Sequence, residues 1–269
     1  MSLVKVFGAD FRYGHKTIFQ DIDFTIEKGE VFCLLGPNGC GKTTLLDCIL
    51  GTLKLRKGGI MVNGQEITHL KPADIARSLA YVPQRHDRTF PYSVLEMVTM
   101  GRAAYTGIFS SPSRQDRMIA EEMIETIGLS ELKHRPYTQL SGGEGQLVLI
   151  ARALAQKTPV IVMDEPTAHL DFRHELIILQ TIKKLVQKER KSIIMATHFP
   201  NHTFYFENNL LRTTVAMLYN GKFLVSGSPS QVLREETIRE VYGIDANIIS
   251  YDIEEKHKLR QIIPIRMSH

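Results

Sequence analysis

The chain has 269 residues, 43% of them hydrophobic and 23% charged, with a formal net charge of +4. That is enough material for one large or two small domains around a buried core, and no apolar run approaches the ~18 residues that would span a bilayer. The mild positive charge has no Lys/Arg block or basic stripe interleaved with aromatics, so nucleic acid is not expected as a partner. The opening residues lack a charged-then-apolar leader, and the three cysteines include no C-x-x-C pair, which points to a cytosolic chain.

Leu3 to Phe11 and Ile18 to Ile26 alternate well enough for two strands. Tyr13, between them, is either a half-buried strand-end tyrosine or, beside a nucleotide, a ring for adenine to stack on. Val31 to Leu35 is an apolar run of buried-strand length, and Thr43 to Leu50 reads as a helix stopped by Gly51. Cys33 and Cys48 fall on apolar positions of these two elements, where an inert buried thiol is expected.

The stretch joining them, Gly36-Pro37-Asn38-Gly39-Cys40-Gly41-Lys42-Thr43-Thr44, meets the G-x-x-x-x-G-K-[ST] phosphate-loop pattern at every fixed position. Such glycines let backbone N–H groups cradle phosphate oxygens, with the positive end of a helix behind them. Lys42 is then placed to reach the β- and γ-phosphates of ATP, and the Thr43 hydroxyl to hold Mg²⁺. Cys40 sits inside the loop at a helix N-terminus, so its thiol pKa is expected to fall and ATP to protect it from alkylation.

Asn63-Gly64 between short apolar runs signals a hairpin, and Pro72 opens a short helix at Ala73 to Leu79. Tyr81 to Gln84 reads as a strand ending in a polar residue; alone, Gln84 is a solvated amide. From Phe90 the composition turns helical, with a capping box at Ser93/Glu96 and a second helix from Ser113 to about Ile127. The Gly/Ser-rich segment from Gly101 to Ser113 is expected to be mobile. Ser141 is an N-cap for the apolar helix after Leu140-Ser141-Gly142-Gly143-Glu144, and its paired glycines leave N–H groups open to an anion.

Val160 to Glu165 is an apolar strand ending in two carboxylates. In a parallel sheet ligands lie beyond the carboxyl ends of the strands, so Asp164 is placed to hold Mg²⁺ and Glu165 to polarise a water near the γ-phosphate. A crossover helix from about Phe172 to Arg190 leads to a strand, Ser192 to Ala196, that ends at Thr197-His198. A second Asn-Gly hairpin at Asn220-Gly221, a helix signalled by Ser228-Pro229 and another ending near Gly243 follow. The residues 244–269 read as a tail with little chemical content. The rings of Phe204, Tyr205 and Phe206 are expected to pack against the sheet, with a partner-docking patch as the alternative.

With these elements in place, the chain resembles the ATP-binding cassette family over nearly its whole length. The resemblance rests on Tyr13, the phosphate loop, Gln84, Leu140 to Glu144, Asp164-Glu165, Leu170-Asp171 and His198, in that order. It implies an α/β fold: a P-loop NTPase cassette with a mixed sheet core, an N-terminal antiparallel β subdomain and a helical subdomain inserted at about 90–139, the cassette spanning 1–243. It also implies a head-to-tail pair of cassettes, in which Ser141, Gly142 and Gly143 of one chain meet the γ-phosphate held by the other. By the same resemblance Tyr13 stacks on adenine, Gln84 meets Mg²⁺ and the attacking water, Glu165 is the catalytic base, His198 contacts the γ-phosphate, and Asp171 belongs to the loop between sites. Gly145 and Leu147 depart from the family pattern, which usually has longer polar or basic residues there.

Within the family, Tyr81 to Gln84, Phe90 to Val98 with Gly101-Arg102, and Glu240 to Gly243 look like the importer ATPases for iron-siderophore, haem and cobalamin, and the molybdate and tungstate group. That implies a polytopic permease as partner, an extracytoplasmic substrate-binding protein beyond it, and a place at the cytoplasmic face of the inner membrane. The rival expectation is a soluble cassette ATPase of iron–sulfur cluster assembly or another cytosolic complex.

Overall fold

The computed structural model describes residues 2–84, 89–106, 110–254 and 257–268. In chain order the elements are β1 (Ser2–Tyr13), β2 (Lys16–Glu27), β3 (Val31–Leu35), α1 (Lys42–Ile49), β4 (Lys57–Val62), β5 (Gln65–Glu66), α2 (Pro72–Ser78) and β6 (Leu79–Val82). There follow α3 (Val94–Thr99), α4 (Arg114–Ile127), α5 (Gly142–Ala155), β7 (Val160–Asp164), α6 (Phe172–Glu189), β8 (Ser192–Ala196) and α7 (Asn201–Asn208). The chain closes with β9 (Thr213–Tyr219), β10 (Lys222–Gly227), α8 (Pro229–Val232), α9 (Glu235–Tyr242), β11 (Ile244–Glu254) and β12 (His257–Met267).

A six-stranded sheet, ordered β10-β9-β3-β8-β7-β6, forms the centre. It is parallel from β9 to β6, and β10 closes the edge as an antiparallel hairpin strand. Every residue of β3, β7 and β8 is buried, which explains their unbroken apolar character: a parallel sheet covered on both faces offers no polar side. Alternation then splits them between two cores. Val31, Cys33 and Leu35 join the core under α5 and α6, while Phe32 and Leu34 join the one shared with α1 and the antiparallel sheet β2-β1-β4-β5. Each such fully buried Leu or Phe contributes about 1.5–3 kcal/mol.

The inserted helices start where capping chemistry puts them. Ser93/Glu96, Ser113/Asp116 and Ser141/Glu144 each form a reciprocal box at the start of α3, α4 and α5. Each box satisfies two backbone donors that a helix start would otherwise leave open. Of the segment expected to be mobile, residues 100–105 form a 3₁₀ turn held by Tyr105, whose hydroxyl donates to Gln156 O at 2.9 Å; the expectation for 107–109 falls outside the described residues.

Two regions differ from expectation. Phe204 and Phe206 are buried as expected, but from a helix, α7, that reaches the core through His202, Thr203 and both rings. Its Asn, Thr and aromatic content is poor helix material, so tertiary packing rather than propensity makes it helical. The segment after Gly243, expected to be a plain tail, is a two-stranded antiparallel hairpin, β11–β12. It is tied to α7 by Asn201, which donates to Ile262 O at 3.1 Å and accepts from Ile262 N at 2.8 Å. It is tied to α9 by Asp245, held between Arg239 (2.7 Å) and Arg266 (2.9 Å), which keep its carboxyl below the usual range.

Candidate nucleotide site

The carboxyl ends of β3, β7 and β8 converge on one edge of the sheet, and the loops leaving them carry the site. After β3 the chain turns at Gly36 with φ 149°, a conformation that side chains rarely adopt. A Cβ there would strike Leu218 O and lie 2.8 Å from Cys40 Sγ, so the loop closes only around glycine. Lys42, at the first turn of α1, is buried, and its ammonium donates to Gly36 O at 2.8 Å and Pro37 O at 3.1 Å. It also lies 3.9 Å from Glu165 Oε1. Asn38, Gly39 and Thr43 face solvent at the mouth of the loop, while Pro37, Cys40, Gly41 and Thr44 are half-buried.

β7 delivers the two carboxylates differently. Asp164 ends the strand, 3% exposed, and its Oδ2 accepts from Thr43 Oγ1 at 2.8 Å. Its Oδ1 is buried with no hydrogen-bond partner. Burial pushes the Asp164 carboxyl up, with neighbouring Glu165 and Asp47 adding to the shift against Thr43 and Lys42. Glu165 then turns into the left-handed region at φ 45°, held by its own N–H to Ala196 O at 2.9 Å. Non-glycine residues in that region are strained, and here the strain swings the carboxylate across to the next loop. Glu165 Oε2 meets Gln84 Nε2 at 3.1 Å and His198 Nδ1 at 2.9 Å, so the ends of β6, β7 and β8 and the phosphate loop close around one carboxylate.

Tyr13 stands at the end of β1, 52% exposed, edge-on to Phe11 with ring centres 4.9 Å apart. A cleft of about 430 Å³ runs beside the loop between Pro37 to Cys40, Lys16 to Ile18 and the Asn220-Gly221 turn. At Cys40 the structure corrects the sequence: burial raises the thiol pKa and outweighs the lowering effect of Lys42. The loop fold that serves phosphate also shields this sulfur from water.

The remaining expected residues form a second group. Ser141 and Gly142 are exposed at the start of α5, where Ser141 N donates to Glu144 Oε2 at 2.8 Å. Gly142 lies against Leu170, and Gly143 lies so close under the His174 ring that any side chain would collide with it. Asp171 caps α6, accepting from His174 N at 2.8 Å, and both its oxygens contact His174 Nδ1. The signature glycines and Asp171 therefore share one surface, joined through His174.

Sequence reasoning missed three contacts. Besides His174, Gln146 Nε2 reaches Pro83 O at 3.4 Å and so links the signature helix to the residue before Gln84. Tyr242 brings a buried hydroxyl to the back of the phosphate loop near Gly36 and Cys40, and burial raises its pKa. Tyr242 lies in the Glu240 to Gly243 stretch, but its contact with the loop, like those of His174 and Gln146, is defined only by what the fold brings beside it.

A glycine loop with a buried lysine, an orphaned carboxylate oxygen beside a threonine hydroxyl, and a second carboxylate clamped by Gln and His describe a nucleoside triphosphatase of the P-loop class. Family comparison agrees: residues 19–168 match the ABC transporter family model, and the chain belongs to that family. An uncharacterized ABC transporter ATP-binding protein of Haemophilus influenzae is 38% identical over 238 residues, 88% of each chain. The iron(3+)-hydroxamate import ATP-binding protein FhuC of Bacillus subtilis is 34% identical over 238 residues, 88% of this chain and 87% of its own. Among solved structures, a chain of a metal-chelate type ABC transporter in an inward-facing conformation superposes with TM-score 0.85 at 30% identity, covering 98% of this chain and 97% of that one. The chain is an ABC ATPase that binds ATP and couples its hydrolysis to transport. No helix among the described residues is long and apolar enough to cross a membrane.

Proposed function

We propose that this chain is the ATP-hydrolysing subunit of an importer for a metal complex of the iron-siderophore, haem or cobalamin kind. It works as a head-to-tail pair on a separate permease, peripheral to the cytoplasmic face of the inner membrane, with an extracytoplasmic binding protein delivering cargo. The observation that carries the reading is a groove of about 610 Å³ between α2, the 3₁₀ turn at 100–105 and α5, lined by Ile75, Met100, Ala104 and Ala153. It opens beside β6, the strand leading to Gln84, so an inserted partner helix would bear on the loop that touches Glu165. The iron-hydroxamate name of one relative and the metal-chelate type of the structural neighbour support the cargo class.

In this reading Tyr13 stacks on adenine, and residues 36–44 wrap the phosphates with Lys42 on the β/γ oxygens. Thr43, Asp164 and Gln84 suit Mg²⁺: hard oxygen donors, one of them an orphaned buried carboxylate oxygen. When bound, the ion neutralises charge on the phosphates. Glu165, oriented by His198 and Gln84, takes the proton of the attacking water. Ser141 and Gly143 complete the partner's site, and Asp171 lies between the two sites. The cassette is taken as residues 1–243, with the helical part at about 90–139 and the hairpin as an appendage.

The test is an affinity capture of tagged Glu165→Gln protein with ATP from detergent-solubilised cells, with cross-linking from a cysteine placed at Ala104. Cross-linking to a polytopic membrane protein supports the importer. Cross-linking to soluble proteins alone moves the assignment to a cytosolic assembly ATPase.

A further inference from the structure

His202 takes no part in the site described above, yet its imidazole is only 3% exposed and fully engaged. It lies at the start of α7, four residues after His198. Nε2 is 2.9 Å from Glu175 Oε1 on α6, and Nδ1 is 3.3 Å from Thr197 Oγ1. The consistent arrangement has Nε2–H donating to the carboxylate and Nδ1 accepting from the Thr197 hydroxyl. Thr197 Oγ1 in turn accepts from Phe199 N at 3.1 Å. The two residues flanking His198 are thus bound into one network, and the Phe199 ring contacts both imidazoles, with ring centres 3.9 Å from His198 and 5.2 Å from His202. The bond from His202 also holds the Glu175 carboxyl below the usual range.

Glu175 is one turn from the N-cap of α6. Positions 171, 174 and 175 are i, i+3 and i+4 on that helix, so they share a face. Asp171 is the cap, and His174 covers Gly143. A continuous set of contacts therefore runs from Glu165 through His198 and its loop to Thr197, His202 and Glu175, then along one helical turn to Asp171 and the signature glycines. A buried imidazole bonded at both nitrogens adds direction, and it is costly to leave half-satisfied.

We propose that Thr197, His202 and Glu175 form a positioning relay that fixes the loop of His198 relative to α6, so that the hydrolytic carboxylate moves together with the surface offered to the second cassette. This rests on the assignment of Glu165 and His198 to the hydrolytic site. None of the three touches nucleotide in this scheme: they set where His198 stands when ATP is bound.

The experiment is steady-state ATP hydrolysis by the full chain, with thermal unfolding of each variant as a fold check. His202→Ala lowers kcat about tenfold with KM for ATP within about twofold, the pattern of lost transition-state alignment. His202→Gln keeps a donor to Glu175 and recovers activity to within about threefold of wild type. Glu175→Ala matches His202→Ala, and the double variant is no worse than either single change, because each removes the same link. A kcat for His202→Ala within about twofold of wild type overturns the relay, as do additive losses in the double variant. If His202→Ala does not fold, Glu175→Ala and His202→Gln decide: wild-type kcat in the first, or no recovery in the second, is the negative result. Glu165→Gln runs alongside. Wild-type turnover there would defeat the site assignment, whereas an inactive Glu165→Gln with an unaffected His202→Ala defeats the relay alone.

Discussion

Replacing Asp164 with Asn should make the nucleotide-free protein more stable while destroying its hydrolytic activity. Asp164 is 3% exposed, and one of its oxygens, Oδ1, is buried without a hydrogen-bond partner. Around it lie Glu165 and Asp47, with Lys42 as the cation among these neighbours. The amide keeps the acceptor for Thr43 Oγ1 and removes one like charge. The amide nitrogen that takes the place of Oδ1 is as unpartnered as the oxygen was, so the gain comes from removing the penalty of the buried charge alone; a relief of about 1 kcal/mol raises the melting point of a domain of this size by roughly 2–4 °C. Because the folded-state pKa of Asp164 is raised, the penalty is present at neutral pH and fades as pH falls through that raised value. The advantage of Asp164→Asn should therefore shrink on acidification and vanish near the ordinary carboxylate value of ~3.9. The assay is thermal unfolding in chelator at several pH values, repeated with magnesium and ATP. Magnesium-ATP should stabilise the wild type far more than the variant. A variant that melts at or below the wild type at neutral pH, or a gap indifferent to pH, would refute the reasoning.

Two further expectations follow from packing. Burial raises the Cys40 thiol, so alkylation near neutral pH should be slower than for an exposed cysteine, should climb as pH rises past ~8.5, and should slow further with ATP; rapid modification at neutral pH would show a thiolate-stabilising loop instead. Arg102 bonds Asp116 at 2.9 Å and Ala155 O at 2.9 Å and lies 3.8 Å above the Tyr105 ring, so Arg102→Ala should lower stability to urea by about 2 kcal/mol. A change under about 0.5 kcal/mol would show that bridge to be dispensable.

The central sheet was legible because a buried parallel strand leaves a plain trace. Val31–Leu35 and Ser192–Ala196 have the bounds that their apolar runs indicate, and the caps at Ser93, Ser113 and Ser141 stand where helix-start chemistry puts them. The phosphate loop was legible for a stronger reason: close backbone approach at Gly36 restricts the residue types that fit. The failures share a cause. α7 is helical because the sheet accepts Phe204 and Phe206, and β11–β12 is ordered because Asn201 and Asp245 tie it down. Cys40 departs from expectation because a helix N-terminus is visible in sequence and burial is not. His174 and His202 carry no motif at all; their meaning lies wholly in the glycine and the carboxylate that other elements bring to them.

Charged side chains tie the loops of the site together. Lys42 spends its donors on the carbonyls of Gly36 and Pro37 and remains 3.9 Å from Glu165, while Glu165 is clamped by Gln84 and His198. These bonds join the phosphate loop to the loops that follow β6, β7 and β8. They also place the switch. In the proposed reading a triphosphate offers Lys42 stronger, charge-assisted partners than two carbonyls, and drawing the lysine outward would loosen its hold near Glu165. The carboxylate would then answer chiefly to Gln84, which follows the strand lining the groove between α2 and α5, and to His198, whose loop reaches α6 through His202. In the proposed reading ATP occupancy, partner docking and approach of the second cassette would converge on a single carboxylate, the differential contact that a ligand-driven change of state needs.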